Sequence, residues 1–164
     1  MTNVIPSMQS ISTEINDQGL ANAIEGCTKM DTLSIVGCMR LSKLSLVNIG
    51  RCLPDLASLC FNAHGFPAVG NDITLDDALL ALAEGCEQLT HLEVPTGVVT
   101  HTAIGYLSGF CSNLRSLSLG QSRGLTDESL EDLGEGCANL ERQVHSLTLF
   151  SVEVAQLAER RTRF

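Results

Sequence analysis

A short motif recurs along this chain and limits its folds more than any other feature of the sequence. "LTDESLEDLGEGCANL", residues 125–140, begins with a Thr-Asp pair and approaches its end on a Gly-Cys pair. Similar stretches cover 15–30, 73–89 and 98–114, and a fainter copy covers 41–56. The cysteines that anchor the copies are Cys27, Cys52, Cys86, Cys111 and Cys137. Their spacings are 25, 34, 25 and 26 residues, and a period in the twenties predicts a solenoid.

The first half of each copy has the pattern of a short helix. In the last copy, Thr126 or Asp127 can cap the amino-terminal end by accepting from free backbone N–H groups. Leu130 and Leu133 are three residues apart, so they share one face of the helix. Gly136 can end the helix, because glycine adopts the left-handed conformation that terminates helices.

The second half of each copy has the pattern of a short strand. Apolar residues alternate with polar ones, which is typical of a strand with one buried face. The predicted inward pairs are Leu33 and Ile35, Leu59 and Phe61, Leu92 and Val94, and Leu117 and Leu119. Successive strands would pair in one parallel sheet at a spacing of about 4.8 Å. Helices need more room than strands, so the stack must curve with the strands on the concave side.

The combined pattern L-x-x-L-x-L, I-T-D-x-G-L-x-x-L and G-C-x-x-L resembles the cysteine-containing leucine-rich repeat. That repeat is best known from F-box/LRR proteins and their relatives without an F-box, and the resemblance covers residues 15–140. It implies an α/β horseshoe of about five repeats that binds proteins. In the F-box members it implies substrate recognition for ubiquitin ligases.

The sequence departs from the family pattern at two places. Cys38 fills the position after the strand where the family often has cysteine or asparagine, but the equivalent positions hold other residues. Those residues are His64, Gly97 and Ser122. After Leu140 the next strand leucine is replaced by Gln143, and a strand-like "SLTLF" begins only at Ser146. The repeat phase is therefore expected to break there.

Three regions are predicted from these boundaries. Residues 1–14 form a partial strand or tail, 15–150 form the repeat domain, and 151–164 form a tail or partial cap. The first strand would leave an edge with unpaired backbone groups, which predicts self-association or a partner subunit at the N-terminal edge.

Composition and charge exclude several classes of function. The net charge of −9 argues against binding to nucleic acid or to an anionic membrane surface, since both need an excess of Lys and Arg. No apolar run is long enough to span a bilayer. "MTNVIPSMQS" lacks the features of a secretory signal. An intracellular, reducing compartment, cytoplasmic or nuclear, is therefore predicted.

The seven cysteines are interpreted as reduced structural thiols. Their odd number argues against a disulfide framework, and the absence of Cys-x-x-Cys or similar spacing argues against a metal site. No cofactor is predicted. His91 and Glu93 share a strand face, but no nucleophile or orienting group accompanies them, so the chain is not expected to be an enzyme.

The concave face carries the predicted protein-binding residues, together with a loop at 62–72. These residues are Thr32, Ser34, Ser58, Cys60, His64, Phe66, His91, Glu93, Ser116 and Ser118. A solvated face without a ligand is the alternative, and Phe66 could instead pack over the neighbouring repeat. The acidic helix residues predict a solvated convex surface or, alternatively, a patch for a basic partner.

Two functions fit this architecture. The first is a substrate-recognition domain related to ubiquitin-ligase F-box/LRR proteins. Only about fourteen residues precede Ile15, too few for an F-box, so this reading expects a fragment or a relative without the box. The second is a scaffold or assembly subunit held in a larger complex.

Overall fold

A computed structural model describes residues 14–63, 74–94, 98–119 and 125–140, and the backbone of 142–143. Within these residues, five helices alternate with five strands. In chain order they are α1 (Asp17–Ile24), β1 (Thr32–Cys38), α2 (Lys43–Cys52), β2 (Ser58–Ala63), α3 (Asp76–Gly85), β3 (His91–Val94), α4 (His101–Phe110), β4 (Ser116–Leu119), α5 (Asp127–Gly136) and β5 (Arg142–Gln143).

The strands form one parallel sheet whose order follows the chain, β1-β2-β3-β4-β5. Each strand pairs with the strand of the next repeat, and Leu33, Leu59, Leu92 and Leu117 are aligned as register partners across four strands. A sheet that grows by one strand per helix is the geometry of a solenoid. The predicted α/β leucine-rich-repeat fold is confirmed.

The hydrophobic core lies between the sheet and the helix layer. All eight apolar strand residues predicted to point inward are buried, and helix residues such as Leu79, Leu82 and Leu107 pack with them. The predicted strand register is therefore correct, because a slip of one residue would have moved all eight to the other face.

Four of the five described helices begin at polar caps, as the repeated motif indicates, whereas the N-cap of α3 is Leu75. Thr126, rather than Asp127, is the N-cap of α5, and its hydroxyl accepts from the backbone N–H of Ser129. Asn16, Ser42 and Thr100 cap α1, α2 and α4 in the same way. Each cap satisfies a backbone donor that the helix leaves without a partner.

Carboxylates at the first helical position link two pairs of neighbouring repeats. Asp17 accepts from the backbone N–H of Ser42 at 2.8 Å, from the Ser42 hydroxyl at 2.7 Å, and from the hydroxyl of the fully buried Ser45. Asp76 accepts in the same way from the N–H and hydroxyl of Thr100, at 3.0 and 2.7 Å. The cap of one helix is thereby held by the preceding helix.

The position assigned to Cys52 in the repeat is wrong. Cys52 is the last residue of α2, and Leu53 is the residue that caps its carboxyl end. The carbonyl of Leu53 accepts from the N–H of Leu56, as the carbonyl of Cys86 accepts from Leu89. Leu56 and Leu89 each lie three residues after the cap, so Leu53 and Cys86 are equivalent. The second repeat therefore has leucine at this position instead of cysteine.

Two buried thiols at this position join successive repeats. Cys86 Sγ donates to the Leu53 carbonyl at 3.3 Å, and Cys137 Sγ donates to the Cys111 carbonyl at 3.4 Å. Burial raises the pKa of Cys86 and Cys111 to about 12 and that of Cys137 to about 11, so these thiols are protonated donors at neutral pH. All seven cysteines are free thiols in the structure.

The expected break in phase after Leu140 is not seen in the backbone. Arg142 and Gln143 form β5, and Gln143 is the register partner of Leu117. Parallel pairing uses backbone groups, so a polar residue at the leucine position does not prevent it. The boundaries predicted at 1–14 and 151–164, and the strand-like segment from Ser146, lie outside the described residues and stay predictions.

Candidate protein-binding face

Eight of the predicted binding residues lie on the sheet face opposite the helices, in two aligned rows. Strand side chains alternate between faces, so residues flanking the buried leucines share the outer face. The first row is Thr32, Ser58, His91 and Ser116, and the middle row is Ser34, Cys60, Glu93 and Ser118. The structure thus brings these eight together, whereas His64 and Phe66 lie outside the described residues.

Exposure varies along the two rows. Thr32 and His91 are exposed, and most of the other members are half-buried. Ser118 has the expected register on the outer face, as the partner of Glu93, but is only 6% exposed.

Ser34, Cys60 and Glu93 are register partners across three strands. Burial raises the pKa of the Cys60 thiol, the negative charge of Glu93 and a hydrogen bond to that carboxylate raise it further, and a hydrogen bond from Ser34 opposes them. Cys60 is therefore a neutral thiol that donates to Glu93 at neutral pH. A thiol in this state is a poor nucleophile.

Thr90 fixes the ring of His91. The Thr90 hydroxyl donates its single proton to the Ala57 carbonyl at 2.9 Å, so its oxygen accepts from His91 Nδ1–H at 2.8 Å. In the neutral ring this leaves Nε2 as an acceptor. The bond to Thr90 thus occupies Nδ1 of His91.

Sequence reasoning missed two exposed apolar residues at the carboxyl end of β1. Val36 is 38% exposed and Met39 is 60% exposed. The alternation that gives Thr32 and Ser34 also gives Val36, which is the register partner of Asn62. The strand register shifts at Gly37. Gly37 has a φ of 77°, a conformation that glycine adopts without strain.

Ion pairs in the described part of the chain lie apart from the middle row. They are Lys29–Asp55 at 3.0 Å and Arg40–Glu14 at 3.5 Å, each between successive repeats. Both are exposed, and such pairs contribute little to stability.

Two further kinds of site were sought in the described ranges. Between 14 and 143, apart from the undescribed gaps, no group of three His, Cys, Asp or Glu residues could hold a metal ion. None of the helices in that part of the chain has the length and apolar character needed to cross a bilayer. The predicted absence of a metal stays a prediction.

Comparison with known proteins supports the repeat assignment. No family model matches the chain. GRR1-like protein 1 of Arabidopsis thaliana is 28% identical over 139 residues, which cover 84% of this chain and 23% of the relative. A transport inhibitor response 1-like protein of Oryza sativa subsp. japonica is 25% identical over 80% of this chain and 23% of its own length.

A third relative carries the repeat in its name. F-box/LRR-repeat protein 23 of Arabidopsis thaliana is 30% identical over 65% of this chain and 23% of its own length. The chain therefore spans about a quarter of the length of these three relatives. By its architecture the chain is an α/β leucine-rich-repeat solenoid, and its sequence is similar to those of F-box/LRR proteins.

Proposed function

We propose that the chain binds proteins through the two polar rows of its sheet, as the substrate-recognition repeats of a ubiquitin-ligase adaptor. The observation that carries this proposal is the alignment of small polar side chains across β1 to β4. Such a surface is shallow, so the backbone of a partner can approach it and exchange hydrogen bonds. The name of one relative, F-box/LRR-repeat protein 23, supports the link to F-box proteins.

The same proposal includes binding without catalysis, in a reducing intracellular compartment. Cys60 is the thiol on the face, and it is held neutral beside Glu93. The buried thiols donate to backbone carbonyls between repeats. Both uses of cysteine need the reduced form, which a reducing compartment maintains.

Affinity purification with a matched pair of variants tests the proposal. Ser58→Tyr places a large side chain in the first row, and Glu84→Tyr places the same side chain on an exposed helix position. Proteins recovered with the natural chain should be lost with Ser58→Tyr and retained with Glu84→Tyr. Retention with both variants would show that the sheet face is not the binding site.

The identity of the recovered proteins separates the two roles. Recovery of a cullin and its F-box adaptor supports a role in a ubiquitin ligase. A stable set of structural subunits in their place would favour a scaffold or assembly subunit.

A further inference from the structure

Glu93 lies near the centre of the sheet face and is bordered by small side chains. Its strand, β3, is the third of the five described, and its register partners are Cys60 on one side and Ser118 on the other. Ser34 lies one strand beyond Cys60. Glu93 itself is only half-buried, so part of it is open to a partner's side chain.

Glu93 is half-buried, and within the described ranges no ion pair involves its carboxylate. Among the residues that the structure describes, the ion pairs join Lys29 to Asp55 and Arg40 to Glu14, and neither involves Glu93. Its bonded neighbour is the neutral thiol of Cys60. A carboxylate partly removed from water gains most from an opposite charge placed against it.

We propose that Glu93 is a subsite for a Lys or Arg side chain of a partner protein, with an apolar side chain of the same partner against Val36. This inference rests on the proposed function, because it names the chemistry of the partner that the face binds. Charge complementarity selects the occupant, since the chain carries a net charge of −9. That charge also speeds the encounter with a basic segment.

The spacing of the two contacts follows from the register. Val36 lies two strands from Glu93 and two residues further along the strand direction. At about 4.8 Å per strand and 3.3 Å per residue, the two positions are about 12 Å apart. A helical partner would span this distance with residues about eight positions apart, at a rise of 1.5 Å per residue.

A library of randomised peptides displayed on phage, selected against the whole chain, tests the subsite. Peptides selected on the natural chain should be enriched in Lys and Arg. Glu93→Gln keeps the size of the side chain and its ability to accept from Cys60, but should weaken the selected basic peptides about tenfold. Glu84→Gln, on an exposed helix position, should leave their affinity unchanged.

Other outcomes would overturn the inference. If peptides selected on the Glu93→Gln variant are equally enriched in Lys and Arg, the enrichment reflects the net negative charge of the chain and not a subsite at Glu93. Peptides that bind the face, and are lost with Ser58→Tyr, but are not enriched in Lys or Arg would refute the subsite and leave the proposed function standing. Selection that yields no peptide sensitive to Ser58→Tyr would count against both.

Discussion

Replacing Gly85 by alanine is expected to be among the most destabilising small changes in this chain. A Cβ built on Gly85 would lie 1.8 Å from the carbonyl oxygen of Gly50, in the neighbouring helix. A Cβ on Gly50 would in turn lie 2.3 Å from the carbonyl oxygen of Ala81. The two glycines therefore let α2 and α3 approach each other through their backbones.

The size of the effect follows from the displacement that alanine would force. Carbon and carbonyl oxygen rarely approach closer than about 3.3 Å, so the helices would have to separate locally by about 1.5 Å. The obstacle is backbone, which cannot rotate away as a side chain would. Leu46, Ile49 and Leu82 nearby are fully buried and would lose contacts. The free energy of unfolding is expected to fall by about 3 kcal/mol, at the upper end of the range for overpacked cores.

Gly105→Ala provides the matched control. Gly105 is exposed within α4, and a Cβ there would meet nothing within 4 Å. The same substitution should stabilise the chain by about 1 kcal/mol through helix propensity alone.

Thermal melting followed by far-ultraviolet circular dichroism distinguishes the two variants. Because the chain contains no tryptophan, circular dichroism is preferred to fluorescence. Gly85→Ala should melt about 10 °C below the natural chain and Gly105→Ala about 3 °C above it. Equal melting of Gly85→Ala and the natural chain would refute the close backbone contact.

Three further predictions concern the core, the carboxylate link and the thiols. Leu117→Ala should cost about 2–5 kcal/mol in a denaturant titration, because Leu117 is buried, while Ser116→Ala should stay within about 0.5 kcal/mol. Burial alone would raise the pKa of Asp17, but hydrogen bonds from Ser45 and Ser42 lower it. The stabilisation of the fold by this carboxylate is therefore present above the unfolded pKa of about 3.9, and it is lost as pH falls through the lower folded pKa. Asp17→Ala should therefore lower the melting temperature at neutral pH, with little effect below that folded pKa. A thiol reagent should modify all seven cysteines in denaturant, whereas the deeply buried thiols should react only on unfolding.

The strands could be predicted from the sequence because their periodicity is local. Leu33 and Ile35 alternate with polar neighbours, and a sheet with one buried face permits a single register for that pattern. The same alternation extends to Val36, which should have been included in the face.

Contacts between repeats were harder to predict, because the sequence gives residue types without the atoms they meet. Gly85 has the place in its repeat that Gly136 has in the last one, but nothing in the sequence showed that Gly50 lies against it. Cys52 was aligned with the other cysteines by residue type. Leu56 shows instead that Leu53, three residues before it, occupies the repeat position. The link from Asp17 to Ser42 could have been found, since Asp76 and Thr100 repeat it at nearly the same spacing.

The close contact between α2 and α3 also bears on the binding face, because these helices precede the strands that hold Cys60 and Glu93. In a solenoid each repeat is positioned by its neighbours, so the helix separation on one side fixes the strand geometry on the other. Cys86 Sγ strengthens this junction by donating to the Leu53 carbonyl at 3.3 Å. A change such as Gly85→Ala, far from the face, should therefore disturb the alignment of Cys60 with Glu93 and weaken the binding of basic peptides selected on the natural chain.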